Sequence, residues 1–288
     1  MHESIEVAGR SRTLTVIGDP TGRPGRGLVL ILHGSRQTGE VHRRFTGASF
    51  DALADRGTAV VAYLDGYRGN WNDARRESRF PARRENIDDV GFVRAVIDRL
   101  AQTHAVDRRR VVVAGFSNGG QMAMRLIHEV PDLLAGAAVV GATMPSAASF
   151  VDPRPAAAAH PLPVLLVHGT ADPIAPFEGG RMRGWAERMF KVGGTTLSMV
   201  QTAEYFARRN GVTDPPRTSR VSPEGRRPWA ARTDYTDRER PPVRLFTIHG
   251  GGHTVPGPKR APFILGRTGR DISTAEEVAR FFGVGTAE

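Results

Sequence analysis

The sequence contains no cysteine. That absence excludes disulfides, thiolate metal sites and a cysteine nucleophile, and it fits an intracellular protein as well as an exported one. Lysine is almost missing too: of 40 Lys and Arg residues only Lys191 and Lys259 are lysines, so the formal net charge of +10 rests on arginines spread along the chain. Clusters such as Arg108-Arg109-Arg110, before a strand, and Arg226-Arg227, in a Pro-rich loop, offer neither a helix nor an aromatic platform for reading bases. Specific nucleic-acid binding is therefore not expected, although weak attraction to polyanions at low salt is. No apolar run approaches the ~18–20 residues that a membrane-crossing helix needs. Met1 to Ile17 lack the basic start, apolar stretch and small-residue cleavage site of a secretory signal, so a cytoplasmic location is expected, or a secreted one if the chain is a trimmed form.

With 288 residues, 40% of them hydrophobic, the chain has enough material for one substantial core. Ser4–Val7 and Thr13–Ile17 alternate with a period of two and predict a hairpin around Ala8-Gly9-Arg10. Leu28 to Leu32 is continuously apolar, the mark of a strand covered on both faces. A helix over Phe45–Arg56 and a strand over Ala59–Tyr63 follow. Val90, Val93, Val96, Ile97 and Leu100 then line one side of a helix from about Ile87 to Gln102. Further strands are predicted at Leu134–Val140, Val164–Val167 and Val243–Ile248, with helices near Ser198–Arg209 and Thr274–Phe282. This alternation predicts an α/β fold with a mainly parallel central sheet, helices on both faces and an N-terminal antiparallel hairpin. A single domain over residues 1–288 is expected, with an insertion or lid-like flank at about 179–242, where the pattern loosens.

The most informative segment is Arg110-Val111-Val112-Val113-Ala114 running into Gly115-Phe116-Ser117-Asn118-Gly119-Gly120 and then into a helical pattern. Strand, G-x-S-x-G and helix in immediate succession read as a nucleophile elbow, in which a serine sits on a strained turn and small neighbours let strand and helix pass closely. Ser117 would then project at the amino end of a helix, where developing negative charge is favoured.

A serine hydroxyl needs a base, and the base needs a carboxylate to orient it and to stabilise its cation. After the strand ending at Val167 comes His168-Gly169-Thr170-Ala171-Asp172-Pro173, and after the strand ending at Ile248 comes His249-Gly250-Gly251-Gly252-His253-Thr254. Ser117, Asp172 and His253 give the serine, acid, histidine order of an α/β-hydrolase. Asp172 also has the turn-starting character of Asp-Pro. His249, His168 and His33 compete with His253, but each directly precedes a glycine at a strand end, where a ring braces the loop. His249 and His253 have the spacing of a zinc pair, but three glycines and no glutamate lie between them, so no metal is expected. Gly115 to Gly120 carries neither phosphate-loop nor dinucleotide signature, and no cofactor is implied. Oxyanion donors are expected in the backbone N–H groups of Asn118 and, from His33-Gly34-Ser35, of Ser35. Tyr67, Trp71, Met144 and Phe177, on loops near the expected site, are candidate substrate contacts.

Asn86-Ile87-Asp88-Asp89-Val90-Gly91-Phe92, Val106-Asp107-Arg108-Arg109 and the elbow resemble the polyhydroxybutyrate depolymerase and feruloyl esterase family of α/β-hydrolases. Leu32-His33-Gly34-Ser35, Asp65-Gly66 with Trp71-Asn72, His168 to Asp172, Leu197-Ser198 to Asn210-Gly211 and Gly251 to Gly257 occur in that family's order, so the resemblance spans about Leu28 to Gly257. It implies Ser117 as nucleophile, Asp172 as acid and His253 as base in cleaving a small or oligomeric ester through an acyl-enzyme. The family commonly has cysteine at the positions of Ser35 and Val212 and tryptophan at that of Val255. These departures point toward an intracellular esterase for small or specialised acyl substrates. The same triad would also serve acyl transfer, lactone chemistry or carbon–carbon cleavage, and a noncatalytic binding protein on this fold would lack a connected triad.

Overall fold

In the computed structural model, which describes residues 1–55, 57–151, 160–182, 184–190 and 192–285, the apolar runs assemble into one ten-stranded sheet. The hairpin β1 (His2–Val7) and β2 (Arg10–Ile17) begins it. The strands β3 (Arg26–Leu32), β4 (Ala59–Leu64), β5 (Val106–Phe116), β6 (Gly136–Val140) and β7 (Val164–Gly169) follow. β8 (Gly180–Arg181) and β9 (Thr195–Thr196) form a separate small ribbon, while β10 (Arg217–Arg220), β11 (Trp229–Tyr235) and β12 (Val243–His249) complete the main sheet. The helices are α1 (Gly39–Phe45), α2 (Ala52–Asp55), α3 (Pro81–Arg84), α4 (Asp89–Thr103), α5 (Asn118–Glu129), α6 (Gly184–Phe190), α7 (Met199–Asn210) and α8 (Thr274–Phe282).

The strand order is β1-β2-β4-β3-β5-β6-β7-β12-β11-β10. The central strands from β4 to β12 are mutually parallel, with antiparallel strands added at both edges. All of β3 is buried because its side chains alternate between two cores. Leu28, Leu30 and Leu32 join a cluster with Phe92 and Val96 of α4, Met122 and Leu126 of α5 and Phe206 of α7. Val29 and Ile31 join Leu53 of α2 and Val278 of α8 on the other face. A strand between two helical layers has no polar face to alternate with, which accounts for the unbroken apolar run. The ends of β5, β7 and β12 thereby come to one edge of the sheet.

The helix expected over Phe45–Arg56 divides into α1 and α2, and Arg56 lies outside the described residues. The cause is local. The Thr38 hydroxyl accepts from Val41 N–H and starts α1 early, while Gly47 and Ala48 take left-handed φ values of 67° and 55° and break the chain after Thr46. The stretch from Thr213 to Pro242, which reads as Pro/Arg-rich and loose, supplies β10 and β11 at the sheet edge. All four side chains of β10 are exposed, so the apolar alternation that marks a half-buried strand is absent.

The N-terminal hairpin is tied to the body by a buried ion pair. Arg12 donates to Asp89 Oδ1 at 2.7 Å and to the Asp65 carbonyl at 3.1 Å, and its guanidinium lies 4.3 Å from the Phe92 ring centre. Asp89 Oδ2 accepts the Asn72 N–H at 2.7 Å. Removing one partner of a buried pair leaves a charge without compensation, at a cost of about 3–5 kcal/mol. Asp89→Asn is accordingly expected to lose about that much in urea unfolding, and a loss below 1 kcal/mol would show that water reaches the pair.

Candidate active site

The elbow is built from backbone contacts that tolerate no side chain. A Cβ on Gly115 would stand 2.1 Å from the Gly119 carbonyl oxygen, and one on Gly119 would stand 2.1 Å from that of Leu32. The amino end of α5 therefore rests directly on β5 and β3. Ser117 between them has φ 54° and ψ −113°, a strained shape for a residue with a side chain. Its N–H is anchored on the Val140 carbonyl at 2.8 Å, and its own carbonyl receives Gln121 N–H at 2.9 Å.

Asp172 and His253 reach Ser117 from two neighbouring strand ends. Close contact between the loops makes this possible: a Cβ on Gly169 would stand 2.3 Å from the Gly251 carbonyl oxygen, and Ala171 N–H donates to that oxygen at 2.9 Å. His253 N–H donates to the Leu265 carbonyl at 2.7 Å. The result is a hydrogen-bonded line, with His253 Nδ1 2.7 Å from Asp172 Oδ2 and His253 Nε2 2.9 Å from Ser117 Oγ. Asp172 Oδ1 meanwhile accepts the N–H groups of Ile174 and Ala175, each at 2.8 Å. The turn-starting geometry and the contact with the imidazole thus coexist in one carboxylate. Burial alone would push this carboxyl up, but the facing His253, with the bonds from His168 and His253, holds it well below the usual carboxylate range.

Asn118 follows Ser117 directly, and the His33-Gly34-Ser35 loop packs against the amino end of α5 at Gly119; among the described residues neither the Ser35 nor the Asn118 backbone N–H has a protein acceptor. For Asn118 this follows from its place as the first residue of α5. The two donors are mechanically linked through Trp71. Its main-chain N–H donates to Asn118 Oδ1 at 2.9 Å, and its indole N–H donates to the His33 carbonyl, also at 2.9 Å. Asn118 Nδ2 donates to buried Asp73 at 2.5 Å, and Asp73 is also paired with Arg75. His33 itself accepts Gly66 N–H on Nε2 at 2.8 Å, and burial pushes its pKa down to about 4.

Residues 66–191 match the phospholipase/carboxylesterase family. NocK of Nocardia uniformis subsp. tsuyamanensis, to which an esterase activity is ascribed, is 35% identical over 292 residues, a match covering 96% of this chain and 80% of the relative. The chain belongs to the polyhydroxybutyrate depolymerase and feruloyl esterase-like family of α/β-hydrolases. Feruloyl esterase B of Piromyces equi is 26% identical over 243 residues, covering 83% of this chain but 42% of that longer protein. The solved acetyl xylan esterase of Aspergillus awamori covers 98% of this chain and 99% of its own, with a TM-score of 0.61 at 15% identity, a likeness of fold.

In this α/β-hydrolase Ser117 opens into a narrow cavity lined by Arg75 and Gln121, by Gly141 to Thr143 and by a roof that includes Met182, Val192 and Gly193. The residues expected as substrate contacts lie elsewhere. Trp71 is fully buried as the brace just described, and Met144 and Phe177 belong to the core cluster under α5 and α7. The Tyr67 hydroxyl donates to Glu85 at 2.8 Å in a surface group with Arg10 and Arg68. An aromatic or Met on a loop after a strand reads the same whether it faces a cavity or braces the loop, which is why these four were not separable by pattern. Gln121 was findable, since it stands one helical turn beyond Ser117; Arg75, Met182 and Gly193 reach the site only through tertiary placement. Among the described residues no cluster of three His, Asp or Glu side chains is arranged to hold a metal, and no helix is long and apolar enough to cross a membrane.

A carboxyl lowered in the folded state stabilises that state above its unfolded pKa of about 4 and loses the contribution as pH falls through the folded value. Asp172→Asn is therefore expected to be less stable than wild type at neutral pH, with the gap closing as pH drops below about 4. Urea unfolding over a pH series reads this directly, and a gap independent of pH would contradict the assignment.

Proposed function

We propose that this chain hydrolyses carboxylic esters through an acyl-serine intermediate, with Ser117 as nucleophile, His253 as general base and Asp172 as its orienting carboxylate. The observation that carries the reading is the unbroken line from Asp172 Oδ2 through both imidazole nitrogens to Ser117 Oγ. Asp172 accepts the Nδ1 proton, which leaves the Nε2 lone pair directed at the hydroxyl. As Ser117 Oγ attacks the ester carbonyl, His253 takes its proton and becomes a cation beside an ionised, buried carboxylate. The carbonyl oxygen gains charge between the N–H groups of Ser35 and Asn118, each such donor being worth ~3 kcal/mol of transition-state stabilisation. His253 then gives its proton to the departing alkoxide, and a water deprotonated by the same nitrogen releases the acid from Ser117.

The narrow cavity beside Ser117 favours a compact acyl group, so small-molecule esters are the proposed substrates. The chain is read as one domain in which the first part of the flank at about 179–242, around β8 and β9, roofs that cavity.

A fluorophosphonate probe is expected to label wild type and not Ser117→Ala, and p-nitrophenyl acetate turnover is expected to fall by at least about 10³-fold in that variant. Labelling that survives the substitution would end the proposal. Trp71→Phe keeps an aromatic ring but loses the indole N–H and with it the bond to the His33 carbonyl. It is expected to lower kcat about tenfold with KM nearly unchanged, since the donors act on the transition state; a rise in KM with unchanged kcat would assign Trp71 to substrate binding.

A further inference from the structure

The cationic side chains of the loop after His253 are not used by the mechanism. From Pro258 to Arg270 the chain carries no acidic residue. Arg260, Arg267 and Arg270 of this segment meet Arg226 and Arg227 around an open groove of about 560 Å³. Asp271 is the acidic residue of that groove, and it pairs with Arg226 at 3.3 Å. Among the described residues no carboxylate lies within ion-pair distance of Arg227, Arg260, Arg267 or Arg270. Among the described residues the charge of these four arginines therefore stands without a paired carboxylate, on the side of the molecule where the His253 loop is held.

The same segment carries the most exposed large apolar side chains of the described residues. Phe263 is 95% and Ile264 74% exposed, adjacent on a single 3-10 turn, Phe263–Leu265. The turn is fixed at its base: His253 N–H donates to the Leu265 carbonyl at 2.7 Å, Gly252 N–H to the Arg267 carbonyl at 2.8 Å, and Gly266 at φ 86° closes against Gly252. Two apolar side chains held out in water on a rigid turn cost free energy unless something covers them.

We propose that this face docks on an anionic lipid bilayer, with Phe263 and Ile264 entering the headgroup and acyl boundary and the groove arginines holding lipid phosphates. Three features favour a bilayer over an acidic protein. The apolar element is a two-residue projection, whereas a protein interface is built on a patch of several hundred square ångströms with a packed centre. Arginine, the cation of nearly every basic position here, binds phosphate bidentately through its planar fork. A polar, cationic surround with a small apolar tip is also the composition of shallow interfacial insertion. Because the docked turn is bonded to the His253 loop, lipid binding would set that loop at the bilayer surface.

Flotation with phosphatidylcholine vesicles, with and without phosphatidylglycerol, tests it. Binding is expected to the anionic vesicles, to disappear at high salt, and to be absent with phosphatidylcholine alone. Arg227→Gln with Arg260→Gln is expected to weaken partitioning about thirtyfold. Phe263→Ser with Ile264→Ser is expected to weaken it at least about tenfold. Both double variants change exposed side chains, and unchanged urea unfolding checks that they fold. No flotation with anionic vesicles overturns the proposal. So does flotation insensitive to the Phe263 and Ile264 changes, which would assign the groove to soluble polyanions; a single-stranded oligonucleotide and polyglutamate measured alongside would then bind wild type and the serine variant equally.

Discussion

Ser117 is held at φ 54° because the backbone on either side of it has nowhere else to go. Such a conformation costs about 1–3 kcal/mol for a residue with a side chain, and it persists only where surrounding structure over-determines it. Here that structure is the close approach of α5 to β3 and β5 at Gly115 and Gly119. The consequences reach well beyond the serine. Seating the amino end of α5 on the Leu32 carbonyl brings the His33-Gly34-Ser35 loop beside Asn118. It also directs Gln121, one turn later, into the wall of the cavity. A wider separation of helix and sheet would relax Ser117 and pull the two N–H donors apart at the same time.

Rigidity at the donors comes from a second layer of hydrogen bonds. Trp71 spans the two arms, and Asp73 anchors Asn118 from beneath while paired with Arg75. A buried carboxylate shared between a guanidinium and an amide is costly unless every lone pair is satisfied. Asp73 meets that condition: Oδ1 accepts the Arg75 main-chain N–H and Nε, and Oδ2 accepts Asn118 Nδ2 and the Arg75 guanidinium. The arrangement keeps charge next to the site without leaving it free to approach the oxyanion position. Arg75, whose side chain also lines the cavity, is consequently a fixed cation and not a mobile one.

Those parts of the molecule that short-range spacing controls were legible in the sequence. β3 shows itself as a continuous apolar run because it is covered on both sides, α4 by its stripe, and the elbow by glycines whose necessity is steric and local. Asp172 and His253 follow strand ends, and the parallel sheet brings such ends to one edge, so their approach to Ser117 follows from topology. Pattern fails where tertiary placement alone decides. β10 pairs at a sheet edge with all its side chains in solvent, and its composition is that of a loop. Trp71 and Met144 carry the residue types of a substrate wall, yet one ties Asn118 to the His33 carbonyl and the other lies in the core. The cavity beside Ser117 is lined instead by Arg75 and by the glycine-rich stretch around Val192 and Gly193, and no spacing relates these to Ser117.

Several histidines sit at strand ends near the site, and the atoms they touch separate their roles. His33 has Nδ1 2.7 Å from the Gly34 carbonyl and receives Gly66 N–H on Nε2, so both nitrogens are committed to holding the loop. His249 stacks on Trp229 with ring centres 3.8 Å apart, and burial together with the nearby Arg220 lowers its pKa, both of which disfavour a cation there. His168 has Nε2 2.9 Å from the Ala175 carbonyl and 3.4 Å from Asp172 Oδ2. A carbonyl only accepts, so Nε2 must carry the proton, and His168 is a donor that helps keep Asp172 ionised. Nδ1 of His168, buried and without a partner among the described residues, is the unprotonated nitrogen that this tautomer requires. Among these rings only His253 has an anion on one nitrogen and a hydroxyl on the other. A general base needs that asymmetry, because a carboxylate on one imidazole nitrogen holds the proton there and would stabilise the cation if the other nitrogen took a second one. The division of labour also bears on why Asp172 is buried yet charged: the facing His253 contributes most, and His168 adds a second donor on the same oxygen.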